Sequence, residues 1–125
     1  MTLIEPGDHE PIHGPHEVSF RPIAFSDVPN LFRWRQDPEV VRWWDIAPAS
    51  EAELADEELA PDVTPRWAFI IVWNGRDVGF IQYYHPYPEM TWTAGIDIFI
   101  GEPDARDHGV GTEAVRVMLD YVFHV

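Results

Sequence analysis

Hydrophobic and polar positions divide the chain into stretches of different period. Residues 1–17 show no apolar repeat and carry Pro6, Pro11 and Pro15 with Gly7 and Gly14, which predicts a flexible arm. Residues 18–24 (VSFRPIA) alternate well enough for a strand, and Pro22, lacking an N–H, predicts that this strand lies at a sheet edge. Ser26 and Asp27 then offer an N-cap, and Pro29 suits the first turn of a helix. Val28, Leu31, Phe32 and Trp34 give that helix an apolar side, and Asp37-Pro38 ends it. A short segment, PEVVRWWD, follows and closes on the pair Trp43-Trp44. Residues 45–66 are acidic, with Arg66 as their single base, and 50–59 predict a short, mostly exposed helix.

From Trp67 the period changes. Residues 67–73 (WAFIIVW) form a continuous apolar run, the pattern of a strand covered on both faces. Asn74-Gly75 predicts a type I′ hairpin turn, and residues 77–84 (DVGFIQYY) the returning strand. Pro86 and Pro88 interrupt the chain before a third strand over 91–100 (TWTAGIDIFI). A loop over 101–111 leads to a helix from Thr112 onward. Glu113, Arg116, Asp120 and His124 share one stripe of that helix, and nearly every other position is apolar. Such a helix expects cover on more than one side. It reaches Val125 with no Gly, Asn or Pro stop signal, and so reads as cut short.

Composition narrows the class. At 125 residues, 46% hydrophobic and 14% aromatic, the chain suits one domain with a real core rather than a disordered tail. No apolar run approaches the roughly 18 residues of a membrane span, and the N-terminus lacks the pattern of a secretory signal, which predicts a cytoplasmic protein. With no Cys, disulfides and thiolate chemistry are excluded. Twenty-two acidic residues face eight bases, all Arg, for a net charge of −14. That field disfavours nucleic-acid and membrane partners and favours cationic small molecules such as polyamines or amino sugars. An acidic surface that merely confers solubility is the other reading. His9, His13 and His16 suggest a metal site, but the intervening Pro and Gly keep the rings off a common helix face. A solvated tail without metal is the preferred reading.

The chemistry concentrates in the third strand and the loop after it. Trp92, Ala94, Ile96, Ile98 and Ile100 share one face, and Thr93, Gly95, Asp97 and Phe99 the other. Asp97 is therefore a carboxylate in mid-sheet, costly unless it meets a polar cleft or a hydrogen-bonding neighbour. The loop and helix entrance read GEPDARDHGVGTEAV, with Gly109 and Gly111 where the chain turns into the helix. Glycines there let backbone N–H groups approach an anion, and the helix N-terminus adds partial positive charge. A tight turn would use the same glycines. The run has neither the Lys-Ser/Thr of a Walker A loop nor the spacing of a dinucleotide fingerprint.

These pieces resemble the GNAT N-acetyltransferase superfamily, whose motif Q/R-x-x-G-x-G/A is matched by Arg106, Gly109 and Gly111. VSFRPIAFSDVPNLFRW, RWWD, WNGRDVGFIQYY, AGIDIFIGEPD and GVGTEAVR are most similar to the aminoglycoside 6′-N-acetyltransferase group. Acyltransferases of lysine-like or siderophore amines share the WW and GID features. The resemblance covers residues 18–125 and implies an α+β fold, a mixed but mostly antiparallel sheet flanked by helices. It implies acetyl transfer from acetyl-CoA, as co-substrate, to a primary amine of a cationic small molecule. In that scheme Asp97 holds the substrate ammonium and helps remove its proton; a carboxylate is a weak base at neutral pH, which favours the holding role. The backbone at Phe99 and Ile100 would bond the pantetheine arm. The N–H groups of Arg106, Asp107, His108, Gly109, Val110, Gly111 and Thr112 would hold the pyrophosphate. Trp44, Gln82 and Tyr84 fall where the family lines its acceptor cleft, although aromatic residues there equally suit a core. Family members continue with further strands and a helix bearing a Tyr that protonates the leaving thiolate. No N-x-x-A…Y-E-x-x-G-F segment follows Val125, so the resemblance is to a partial domain. An inactive fragment that binds or homodimerises, with the Asp97 strand exposing an edge, is the alternative.

Overall fold

Strand alternation and helical stripes converge on a sheet with helices on both faces. The computed structural model describes residues 12–13, 18–44, 47–59, 66–84 and 95–122. Strands β1 (Ile12–His13), β2 (Val18–Pro22), β3 (Arg66–Trp73), β4 (Arg76–Tyr84) and β5 (Gly95–Ile100) form one sheet in sequence order. Every pairing among the described residues is antiparallel. Helices α1 (Val28–Arg35), α2 (Pro38–Val41), α3 (Glu51–Leu59) and α4 (Val110–Val122) complete the architecture. The α+β fold expected from the sequence is the one observed.

Two cores flank the sheet. On one face Phe20, Trp67, Phe69, Ile71, Ile81 and Tyr83 pack against Val110, Ala114, Val117, Met118 and Val122 of α4. On the other, Ile70, Phe80 and Phe99 pack against Val28, Leu31 and Trp34 of α1, Val40 of α2 and Leu54 of α3. β3 contributes to both, as its unbroken apolar run requires. Asn74 and Gly75 have φ of 53° and 77°, the pair of positive values that a type I′ turn needs.

Several expectations are corrected. β2 is not an edge strand, because Ile12 and His13 pair with Phe20 and Ser19. Pro22 is tolerated because it lies beyond the reach of that short partner. Apart from these two residues, the arm lies outside the described residues, as do His9 and His16. Asp27 caps backward rather than forward: its carboxylate accepts from the Ala24 N–H at 2.8 Å and from Arg21, and a 3-10 turn (Phe25–Asp27) precedes α1. α4 begins at Val110, two residues earlier than expected, so Gly111 lies inside its first turn. One face of α4 is buried, whereas Leu119 is 42% exposed, because the pairs of Arg116 with Glu113 and Asp120 occupy the outer side.

The end of β5 is fixed by a bulge and a ring. Ile71 faces Gly79 and Val72 faces Asp77, which leaves Val78 as an extra residue in β4. Its carbonyl accepts from the Gly101 and Glu102 N–H groups at 2.8 and 3.1 Å. The Trp34 ring then covers Gly101, and its Nε1 donates to Glu102 Oε2 at 2.8 Å. A Cβ at Gly101 would stand 2.2 Å from Trp34 Cγ. Gly101→Ala should therefore cost about 1–3 kcal/mol, read as a lower urea midpoint with an unchanged slope. A midpoint equal to the parent's would contradict this packing.

Candidate active site

Asp97 sits in mid-β5 on the face it shares with Phe99, while Ile96, Ile98 and Ile100 pack toward the α4 side. Its register partner is Gln82, whose Nε2 donates to Asp97 Oδ2 at 2.9 Å. The Tyr84 hydroxyl also bonds the Asp97 carboxylate. Burial first, then the charge and hydrogen bond of Asp97, push the Tyr84 hydroxyl above the ordinary tyrosine range, so at neutral pH it remains a donor. Gly95 makes this arrangement fit, since a Cβ there would lie 2.4 Å from the Tyr84 ring. The carboxylate, on the last strand of the described sheet rather than in mid-sheet, thus meets side chains of the neighbouring strand, and the sequence-derived residues Gln82, Tyr84 and Asp97 come together.

Behind Gln82 stands a group of charges that the sequence reading placed on a solvated face. Arg66 Nη1 donates to Gln82 Oε1 at 2.8 Å and to Glu58 Oε2 at 3.1 Å, and Nη2 donates to the Glu58 carbonyl. Glu58 is 8% exposed and also pairs with Arg35, itself 2% exposed, at 3.4 Å. Burial pushes the Glu58 carboxyl up from the ordinary glutamate range, against the pull of Arg66. Leu54 and Glu58, four residues apart, are the buried stripe of α3; that spacing in an otherwise acidic segment was the available signal.

The outer side of β5 opens into a cleft of about 330 Å³ lined by Glu39, Val40, Trp43, Trp44, Ile98, Phe99, Ile100 and Arg106. Trp44 stands edge-on to Phe80 and Phe99, with centroids 5.7 and 5.0 Å away, so it is a wall of this cleft rather than a partner of Asp97. Backbone parity decides what β5 presents there. The Phe99 carbonyl is directed at Gly79, where a Cβ would come within 2.4 Å of it. By alternation, the backbone polar groups of Ile98 and Ile100 face away from β4. Of the expected pair Phe99 and Ile100, only Ile100 turns its backbone away from β4, and because its carbonyl accepts from Arg106 Nε at 2.9 Å it is the Ile100 N–H that is left for the cleft. Ile98, which sequence reasoning missed, is the second such residue, and strand parity could have found it.

The loop at the end of β5 differs in one respect from expectation. Arg106 is committed to structure: its N–H donates to the Pro103 carbonyl at 3.3 Å, its Nε to the Ile100 carbonyl at 2.9 Å, and its Nη2 to Asp37 Oδ2 at 3.1 Å. It thereby ties the loop to α2, whose N-cap Asp37 accepts from the Glu39 N–H at 3.0 Å. Asp107 and Gly109 adopt φ of 66° and 76°, which turns the chain into α4. His108 is exposed, with its ring 5.3 Å from that of Trp73. Val110, Gly111 and Thr112 open the helix, and the first N–H groups of any helix have no acceptor within it. A Cβ at Gly111 would meet only Ile100 Cγ1, at 3.8 Å, so the approach to these groups is open. Among the described residues, no cluster of three or more potential ligands could hold a metal, and no helix is long and apolar enough to cross a membrane.

The last described strand thus leads through a glycine loop into a helix, with a cleft along that strand. The acetyltransferase (GNAT) domain model matches residues 17–125. The chain belongs to the GNAT acetyltransferase family. It is 26% identical over 124 residues to an N-acetyltransferase 9-like protein of Nematostella vectensis, covering 85% of this chain and 60% of that one. It is 25% identical over 123 residues to an aminoglycoside N(6′)-acetyltransferase type 1 of Klebsiella pneumoniae, covering 86% and 60%. Among solved structures, the aminoglycoside acetyltransferase AAC(6′)-Ib in complex with coenzyme A is similar with a TM-score of 0.74 at 23% identity, over 85% of this chain and 67% of that one. The chain spans about 60% of the length of these curated relatives.

The Asp37 anchor of the loop gives a pH dependence. The Glu39 N–H, and then Arg106, hold its carboxyl below the ordinary value of 3.8. A carboxyl depressed in the folded state adds stability above its unfolded value and loses it as pH falls through the folded one. Asn caps helices as well as Asp does, so Asp37→Asn isolates the charge pair. The variant should lose up to about 1 kcal/mol near neutral pH, with the gap closing as pH drops below 3.8. Urea titrations across that range check it; a gap that widens in acid would contradict the pairing.

Proposed function

We propose that the chain provides the acetyl-CoA and amine sites of an N-acetyltransferase whose acceptor is a primary amine on a cationic small molecule. The observation that carries this reading is the construction of β5. Asp97 faces the interior of one sheet face, held by Gln82 and Tyr84. Its neighbour Ile98 and the N–H of Ile100 turn away from β4 on the side of the adjoining cleft, the Ile100 carbonyl being held by Arg106. One strand can thus hold an ammonium and an extended amide chain within about one residue spacing, roughly 3.3 Å.

In the reaction, an ammonium held at Asp97 gives up a proton, and its nitrogen attacks the thioester carbonyl of acetyl-CoA. The C–N bond forms, the C–S bond breaks, the nitrogen's second proton goes to the departing thiolate, and the first is released to solvent. Asp97 contributes by orienting the amine, and Ile98 and Ile100 by aligning the pantetheine amides. The first N–H groups of α4, at Val110, Gly111 and Thr112, with the positive end of the helix dipole, suit the pyrophosphate. Asp107, His108 and Gly109 shape the turn that exposes them. The net charge of −14 draws a polycation toward the site. Acetylation would remove one positive charge from such a molecule, the change that would weaken an aminoglycoside's hold on phosphate, and a cytoplasmic setting fits that role. Lysine-like and siderophore amines form the competing acceptor class, and a panel containing both separates them.

Asp97→Asn should lower amine turnover by about 10²-fold or more while acetyl-CoA affinity, measured by calorimetry, stays within about twofold. Unchanged turnover would remove Asp97 from the mechanism. Gly111→Trp should abolish acetyl-CoA binding by filling the approach to the helix start. Retained binding would remove the loop from the site.

A further inference from the structure

A primary amide beside a carboxylate can present either its NH₂ or its carbonyl, and only the first is favourable. At Gln82 the choice is made from behind. Arg66 Nη1 lies 2.8 Å from Oε1, and a guanidinium has donors and no acceptor, so this oxygen must face Arg66 and Nε2 must face Asp97. Arg66 is in turn fixed by the Glu58 carboxylate at 3.1 Å and by the carbonyls of Glu57 and Glu58 at the C-terminal end of α3. Those carbonyls carry the negative end of the helix dipole, which favours a cation there. The guanidinium is three-quarters or more shielded, with 15% of its side chain exposed, so water competes weakly for these bonds.

We infer that Arg66 is a positioning residue for the amine site: through Gln82 it holds Asp97 Oδ2 in a hydrogen bond and, together with Tyr84, fixes the orientation in which the carboxylate meets the acceptor. This inference rests on the proposed role of Asp97. It adds that the end of α3, two strands away from β5, sets the geometry of the acceptor site. The chain of bonds runs Glu58, Arg66, Gln82, Asp97, and each link joins a donor to an acceptor without a mismatch. A lysine cannot replace Arg66 here, because one ammonium cannot reach the helix carbonyls and the Gln82 oxygen in the same fork geometry.

The test is a double-variant cycle on Arg66→Lys and Gln82→Met, both of which keep the shape of the site. Each alone should raise KM for the amine about tenfold, with KM for acetyl-CoA within about twofold. The double variant should match the single ones, because Arg66 acts only through Gln82. Effects that multiply to about a hundredfold, or an Arg66→Lys protein with unchanged amine KM, would overturn the inference. A second readout does not depend on turnover: the side-chain NH₂ resonances of Gln82 in ¹⁵N–¹H spectra. They should shift on Arg66→Lys and on Asp97→Asn; resonances that ignore either change would overturn the link. If the parent chain acetylates no amine while these shifts occur, the bond chain stands and the proposed activity fails.

Discussion

A half-buried carboxylate on the face of a β-strand calls for hydrogen-bonding partners, because taking an unpartnered charge out of water is costly. The 2.9 Å bond from Gln82 to Asp97 meets that requirement, and much of the surrounding sequence follows from it. Gln82 needs its oxygen engaged, which places Arg66 at the start of β3. Arg66 needs a counter-charge, which places Glu58 on the inner stripe of α3. Tyr84 needs room to reach the same carboxylate, which requires a glycine at position 95. Four elements meet at one pair of side chains.

The other half of the site depends on backbone geometry rather than charge. The bulge at Val78 and the fit of Trp34 on Gly101 stop β5 at a defined residue and turn the chain into the glycine loop. Because strand residues alternate, stopping the strand there also decides that Ile98 and Ile100, and not Phe99, turn their amides toward the cleft. Arg106 then uses its side chain to close the loop against Asp37, and four residues later the chain enters α4 at Val110. Charge and backbone therefore supply the two parts of the site through neighbouring residues of a single strand.

How much of this could be read in the sequence differs by the range of the interaction. The hairpin at Asn74-Gly75, the two-sided apolar run of β3 and the facing of Asp97 are local, and period alone reveals them. The glycine loop was equally visible, being a spacing of three residues. The corrected features are non-local. Whether β2 is an edge strand depends on Ile12 and His13 finding Phe20 and Ser19. The burial of Glu58 depends on an arginine eight residues away, in another element. A charge-rich segment looks solvated until its partners are known, and for that reason the positioning charges behind Gln82 escaped the sequence reading.

The most direct test of the account is a titration of the ¹⁵N-labelled chain with acetyl-CoA, following backbone amides. Saturable shifts are expected at Ile98 and Ile100 on the β5 edge and at Val110, Gly111 and Thr112 at the start of α4, with β1 and β2 unmoved. Saturable binding that leaves those five amides in place, or no binding by the folded chain, would contradict the claim that this strand and helix start form the cofactor cleft.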